Sequence, residues 1–342
     1  MIRAIPLALL AVPSLLGAQP DTATRRPARL FRATDPVVIS LTADFKTVFK
    51  DRDSMSTKQY PAVMRWLGEK GDTTAVDVKL ETRGHYRLRT CSVTPLKVDF
   101  DKEKTKGTLF GGEGGLKLST HCQKADRYTQ NVYLEYAAYG MYNVLTPVSL
   151  RARLATITWH DPKDPGFTVT RPGFWIEDDD GMADRNRGKI LMAKGGTASQ
   201  MDSRQMAITD LFQYMIGNTD FSISALHNIR ILQTDTSATF YPMAYDFDWS
   251  GLVDAPYAAP DYRLPIKRVT DRLYRGGCHL PEVMTETIAL FNRKKGEIYG
   301  VLAGIAGLQP SRRKEATDFL DAFYKIINDP GSVRREIMRV CP

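Results

Sequence analysis

Apolar and polar positions alternate through the first half of the chain and recur with helical spacing through the second. Val37 to Phe49 (VVISLTADFKTVF), Val76 to Thr82 (VDVKLET) and Leu96 to Phe100 (LKVDF) are β-rich with partial alternation. Leu116 to Ser119, Ser149 to Trp159 (SLRARLATITW) and Gly173 to Glu177 (GFWIE) continue the series. Such runs predict strands, with a loop-and-helix segment around Tyr60 to Gly71. Arg83-Gly84 opens a turn loaded with Arg83, Arg87 and Arg89. A glycine-rich loop follows, GTLFGGEGG from Gly107 to Gly115. No GK[ST] closes it, so it is not a Walker A loop.

From Asn131 to Leu150 the spacing predicts a helix that is apolar nearly all round, with Glu135 its only charge. A helix of that kind is buried, and a buried carboxylate is costly unless it meets a cation. Lys117, on the strand just before, is the natural partner; a position at the helix edge, in water, is the alternative.

Ser203 to Gly217 predicts an amphipathic helix with its stripe at Ile208, Leu211, Phe212, Met215 and Ile216. Residues 281 to 306 and 310 to 340 are mostly helical in pattern, and no internal repeat is visible. The segment from Ser203 to Gly251 sets three oxygen-bearing side chains at the ends of regular elements. Asp220 follows the helix, Asn228 enters a short strand and Asp246 leaves a second one. A carboxylate that orients an attacking hydroxyl, with an Asn and an Asp that hold magnesium or manganese, is the grouping phosphoryl transfer needs. Asp and Asn also favour plain turns and caps. Against that, Asp246 lies inside an apolar run, FYPMAYDFDW, where an unpaired carboxylate is costly.

The chain has 342 residues, 43% of them hydrophobic, enough for one large domain or two joined lobes. Residues 1 to 18 carry Arg3 before an apolar run that closes on Gly17-Ala18, the pattern of a secretory signal peptide. Export is therefore expected, to the periplasm, the cell surface or the medium, with no transmembrane segment left after cleavage. Residues 19 to 35 are polar and basic, a flexible lead-in. In an oxidising compartment the four cysteines are expected to pair, and 91 with 122 and 278 with 341 is the preferred choice among three connectivities. Zinc is disfavoured, because there is no CxxC and no HExxH. The formal charge of +8 favours anionic ligands such as nucleotides or envelope polymers. No pattern supports nucleic acid.

With these pieces placed, the sequence resembles the spore-coat CotH family of atypical, protein-kinase-like kinases, and more remotely the HipA-like kinases. The residues that carry the resemblance are Arg83-Gly84, GLKLST around Lys117, Glu135, GFWIEDDD, IGNTD ending at Asp220, His227-Asn228 and YDFD at Asp246. Exported bacterial proteins without an assigned activity share the wider pattern. The resemblance implies an α+β, two-lobed protein-kinase-like fold, with a β-rich N-lobe over 36 to 180 and a mostly helical C-lobe over 181 to 342. It further implies Mg-ATP between the lobes and transfer of the γ-phosphoryl group to a protein or small-molecule hydroxyl. Lys117 would touch the phosphates and pair with Glu135, Arg83 or Arg87 would neutralise charge, and Glu177 would lie near the adenine. Asp220 would be the catalytic carboxylate, with Asn228, Asp246 and Asp248 as metal ligands. Asp220 and Asn228 stand further apart than in conventional kinases, and no HRD triad is present. The alternative is accordingly a non-catalytic pseudokinase or an envelope binding protein.

Overall fold

The computed structural model describes residues 25–341, apart from 69–70, 193 and 236–238. The expected signal peptide, and the lead-in before residue 25, lie outside the described residues. Seven strands close into one mixed barrel: β1 (Val37–Thr42), β2 (Tyr60–Leu67), β3 (Thr73–Thr82), β4 (Leu96–Phe100), β5 (Gly115–Thr120), β6 (Ala152–Asp161) and β7 (Asp164–Ile176). Their order around the barrel is β1-β2-β3-β4-β5-β7-β6. Closure comes from β1, which pairs antiparallel with β2 and parallel with β6, from Val37 opposite Ala155 to Thr42 opposite His160. This overturns the expected two-lobed kinase-like fold. In place of a separate β-rich N-lobe, these strands return on themselves into a closed barrel packed under helices. The segment from Tyr60, expected as loop and helix, is strand β2. Ala62, Met64 and Trp66 point inward and Pro61 and Arg65 point out.

The barrel interior is filled by every second residue, including Ile39, Leu41, Met64, Val78, Leu80, Val98, Leu116, Leu118 and Ile157. Trp175 points inward while its neighbours Phe174 and Ile176 point outward into a second core. The end of β7, residues 173–176, is thus buried on both faces, which explains the unbroken apolar run GFWI. Part of the expected lead-in is packed as well: Leu30 and Phe31 join the barrel core, and Arg153 donates to the Leu30 and Asp35 carbonyls.

Short helices α1 (Phe45–Val48), α2 (Tyr86–Thr90) and α3 (Lys102–Thr105) decorate the barrel. The outer face of β5, β6 and β7 is covered by α4 (Asp126–Leu145). Beyond it lie α5 (Asp179–Arg185) and α6 (Ser203–Ile216), and a three-stranded sheet of β8 (Gly188–Leu191), β9 (Ile229–Thr234) and β10 (Phe240–Ala244). Helices α7 (Pro281–Ala303) and α8 (Pro310–Ile327) complete this layer. Asp202 caps α6 by accepting from Gln205 N, and Gly217 ends the helix at φ 65°. A Cβ there would lie 2.9 Å from Phe319, so both conformation and space call for glycine.

Cys91 is bonded to Cys122 and Cys278 to Cys341, the expected pairing and one that suits an exported protein. Among the described residues no helix is long and apolar enough to cross a membrane.

Candidate functional site

Between the barrel and the helical layer lies a polar seam. Its central cation is Arg87, on α2, almost wholly buried. The guanidinium donates to Ser119 Oγ at 3.3 Å, to the Thr120 carbonyl and to Glu135 Oε2 at 3.4 Å, and lies 3.9 Å from Asp248 Oδ2. Burial opposes the charge, yet the field of Tyr257, Glu135, Asp248 and Asp246 outweighs it and holds Arg87 firmly protonated. Glu135 is pushed up to about 7 by burial, against the pull of Arg87. Asp248 is raised well above the carboxylate range by burial and by Asp246 and Glu135, and it accepts from Tyr257 Oη at 2.8 Å.

These placements correct several expectations. Glu135 is buried, but its cation is Arg87, not Lys117. Along β5, Ser119 lies on the same face as Lys117 and is the residue that meets Glu135, at 3.1 Å. Lys117 Nζ turns instead to Asp179 Oδ1 at 3.3 Å, beside the Tyr245 ring. Arg230 grips the other oxygen of Asp179 at 2.8 Å and donates to Tyr245 Oη at 2.5 Å. Arg87 is committed to Ser119, Thr120 and Glu135, and Asp248, 3.9 Å from it, accepts from Tyr257, so both are engaged inside the fold. Glu177 is buried and bound by Arg185 through both oxygens, at 3.2 and 3.0 Å, so its carboxylate is already paired within the fold.

The glycine-rich loop carries a further buried acid. Glu113 within it is buried, and burial together with the charges of Glu177 and Asp178 pushes it up to about 7. A carboxyl whose folded pKa is raised contributes stability below its unfolded value, and that contribution is lost as pH rises through the folded one. Glu113→Gln is therefore expected to gain about 1–2 kcal/mol over the parent at about pH 8 relative to about pH 5. Urea unfolding at both pH values checks this, and a pH-independent difference refutes it.

Asp220 and Asn228 come together, and Asp246 is the residue after Tyr245, whose backbone pairs with Asn228. Asn228 Nδ2 donates to Asp220 Oδ2 at 3.0 Å and to the Asp220 carbonyl at 2.7 Å, while the Asn228 carbonyl accepts from Tyr245 N at 3.1 Å. Asp246 follows directly, its N–H donating to the Tyr139 phenol at 3.0 Å. Both Asn228 and Asp246 have left-handed backbones, at φ 52° and 62°. For non-glycine residues such conformations are strained and persist only where the surroundings impose them. Among the described residues nothing donates to the Asp246 carboxylate or to Asn228 Oδ1. Asp220 is held on both oxygens, the other one by His227 Nε2 at 2.8 Å, and stays about a third exposed.

His227 and Tyr139 were not foreseen in these roles. Tyr139 carries a legible signal, since it stands four residues after Glu135 and so shares its helix face. His227 carries none beyond its place beside Asn228.

The Asp246 carboxylate and Asn228 Oδ1 are acceptors of the kind a hard divalent cation takes. Among the described residues no group of three or more His, Cys, Asp or Glu side chains is gathered to hold a metal. Magnesium commonly takes one or two protein oxygens and completes its shell with water and phosphate, and Asp246 with Asn228 matches that number. A cavity of about 1020 Å³ lies elsewhere, lined in part by Val48, Ala62, Val78 and Phe100 at one end of the barrel. It includes none of these residues, and the seam, where strained backbone and free acceptors coincide, is the better candidate. No protein-family model matches the sequence, and no curated protein is similar to it at a significant level.

Proposed function

We propose that the chain binds a magnesium nucleotide, ATP in the first instance, at the Asp220–Asn228–Asp246 hub and transfers its terminal phosphoryl group to a hydroxyl. The observation that carries the reading is Asp246, whose unpartnered carboxylate is held in a left-handed backbone beside Asn228. Asp246 and Asn228 would hold a divalent cation, which when bound would neutralise charge at the phosphate oxygens. Asp220, oriented by His227 and Asn228 and partly exposed, accepts the proton of the acceptor hydroxyl. Lys117 and Arg230, already gathered around Asp179, add positive potential on one side of the hub. The site works outside the cytoplasm, in the periplasm or at the cell surface.

Mg-ATP is expected to raise the melting temperature by several degrees, and Asp246→Ala to abolish the shift. An equal shift in the variant would refute the assignment. The ion pairs that occupy Arg87, Lys117 and Glu177 favour one second reading, a protein that binds without turnover. Labelled ATP separates the two: phosphorylated product marks transfer, and a thermal shift without product marks binding alone.

A further inference from the structure

Beside the polar seam four aromatic rings are gathered at the surface. Tyr86 and Trp249 meet edge to face with centroids 5.0 Å apart, and Tyr257 lies 5.9 Å from Tyr86 and 6.5 Å from Trp249. Tyr128 extends the group, 6.5 Å from Tyr257. Tyr86 is 40% exposed and Trp249 half-buried, while Trp66, Trp159 and Trp175 are all core residues. The chain thus keeps a single tryptophan at this surface among its four.

The patch belongs to the same locality as Asp246. Trp249 follows Asp248, and Tyr86 precedes Arg87, the two buried charges that face each other across the seam. Tyr257 is pinned by its bond to Asp248, and α2, which carries Tyr86, is tied at its end by the disulfide of Cys91 to Cys122. Arg83, three residues before Tyr86, donates only its Nε, to the Leu96 carbonyl at 3.3 Å. Its terminal nitrogens have no hydrogen-bond partner among the described residues, while its charge acts on Glu135 and Tyr139. Rigid aromatic rings a few residues along the chain from Asp246 and Arg83, neither of which has its terminal polar atoms hydrogen-bonded among the described residues, suit a flat ring attached to an anionic, metal-bound chain.

We propose that the nucleotide base stacks on the Tyr86–Trp249 edge. The proposal rests on the nucleotide reading above and relocates the base from the region of Glu177, where the carboxylate is buried and paired. Every base has a π-face, so stacking discriminates poorly between bases. Mg-ATP and Mg-GTP should therefore bind within a few-fold of each other.

Trp249 fluorescence supplies the readout. Titration with Mg-ATP is expected to quench it, and magnesium tripolyphosphate, which has no base, to bind without matching the quench. Trp249→Leu and Tyr86→Leu are each expected to weaken Mg-ATP by about 5- to 150-fold, and to leave tripolyphosphate within about twofold. Trp249→Phe keeps a ring and should retain most of the affinity, which guards against a folding defect in the leucine variants. Equal weakening of both ligands, or none of either, overturns the stacking while the phosphate hub stands. Failure of the parent protein to bind either ligand overturns the nucleotide reading and the stacking with it.

Discussion

Arg87→Met is expected to destabilise the folded chain by about 3–5 kcal/mol, because it leaves Glu135 and Asp248 buried without their cation. The Ser119 hydroxyl and the Thr120 carbonyl lose their donor in the same step. Without the guanidinium both acids protonate more readily, so the deficit should shrink as pH falls. The sign follows from Glu135, already raised to about 7: an acid raised further contributes stability at low pH that disappears through neutrality. A triple variant, Arg87→Met with Glu135→Gln and Asp248→Asn, should recover more than half of the loss, since neutral side chains no longer need a counter-charge. Urea unfolding of the three proteins tests the account. A loss below about 1 kcal/mol for Arg87→Met alone would show that water reaches the cluster and screens it.

The same cluster shows what the sequence could and could not disclose. A lone carboxylate in an apolar helix announced a buried charge, and Glu135 is one. The partner was misassigned because strand alternation fixes the face a residue takes, not its reach along the neighbouring strand. Lys117 and Ser119 share a face of β5, and a step of two residues decides which of them meets Glu135. Barrel closure was hidden for a related reason. It depends on β1 lying parallel to β6 across more than a hundred residues of chain, and alternation in either strand is the same in an open sheet. The Pro61 that opens β2 disguised a regular alternation of Ala62, Met64 and Trp66.

The hub was more legible than its surroundings. Asp220, Asn228 and Asp246 are short oxygen-bearing residues at element ends, so one loop sets Asn228 against Asp220, and strand register sets Tyr245, just before Asp246, against the Asn228 carbonyl, without long-range information. Asp248 and Glu177 carry the same chemistry but are consumed by Tyr257, Arg87 and Arg185. Whether an acid is free or neutralised depends on tertiary neighbours that composition and spacing do not reveal. Arg87 and Arg83 make the same point, four residues apart in one turn: one is locked inside the fold and the other keeps most of its donors.

Removal of the bond between Cys278 and Cys341, by Cys278→Ser with Cys341→Ser, is expected to cost about 4 kcal/mol. The figure is the loop-closure entropy for a sequence separation of 63. The cross-link does more than shorten the unfolded chain. Cys278 is flanked by Gly277 N and His279 Nε2, both bonded to Asp210 Oδ2 of α6 at 2.9 Å. Arg275, just before, holds the Thr219 carbonyl next to Asp220. The bond thus anchors the segment that fixes the Asp220 loop, and its loss should weaken Mg-ATP binding as well as stability. Serines at Cys91 and Cys122, with a separation of 31, are expected to cost slightly less in entropy. Their effect on binding should fall on the base through Tyr86, leaving tripolyphosphate unaffected. Denaturant unfolding together with the two titrations separates the cases. A loss below about 1 kcal/mol at 278 and 341 would mean that the packing of α7 and α8, not the cross-link, confines the C-terminal segment.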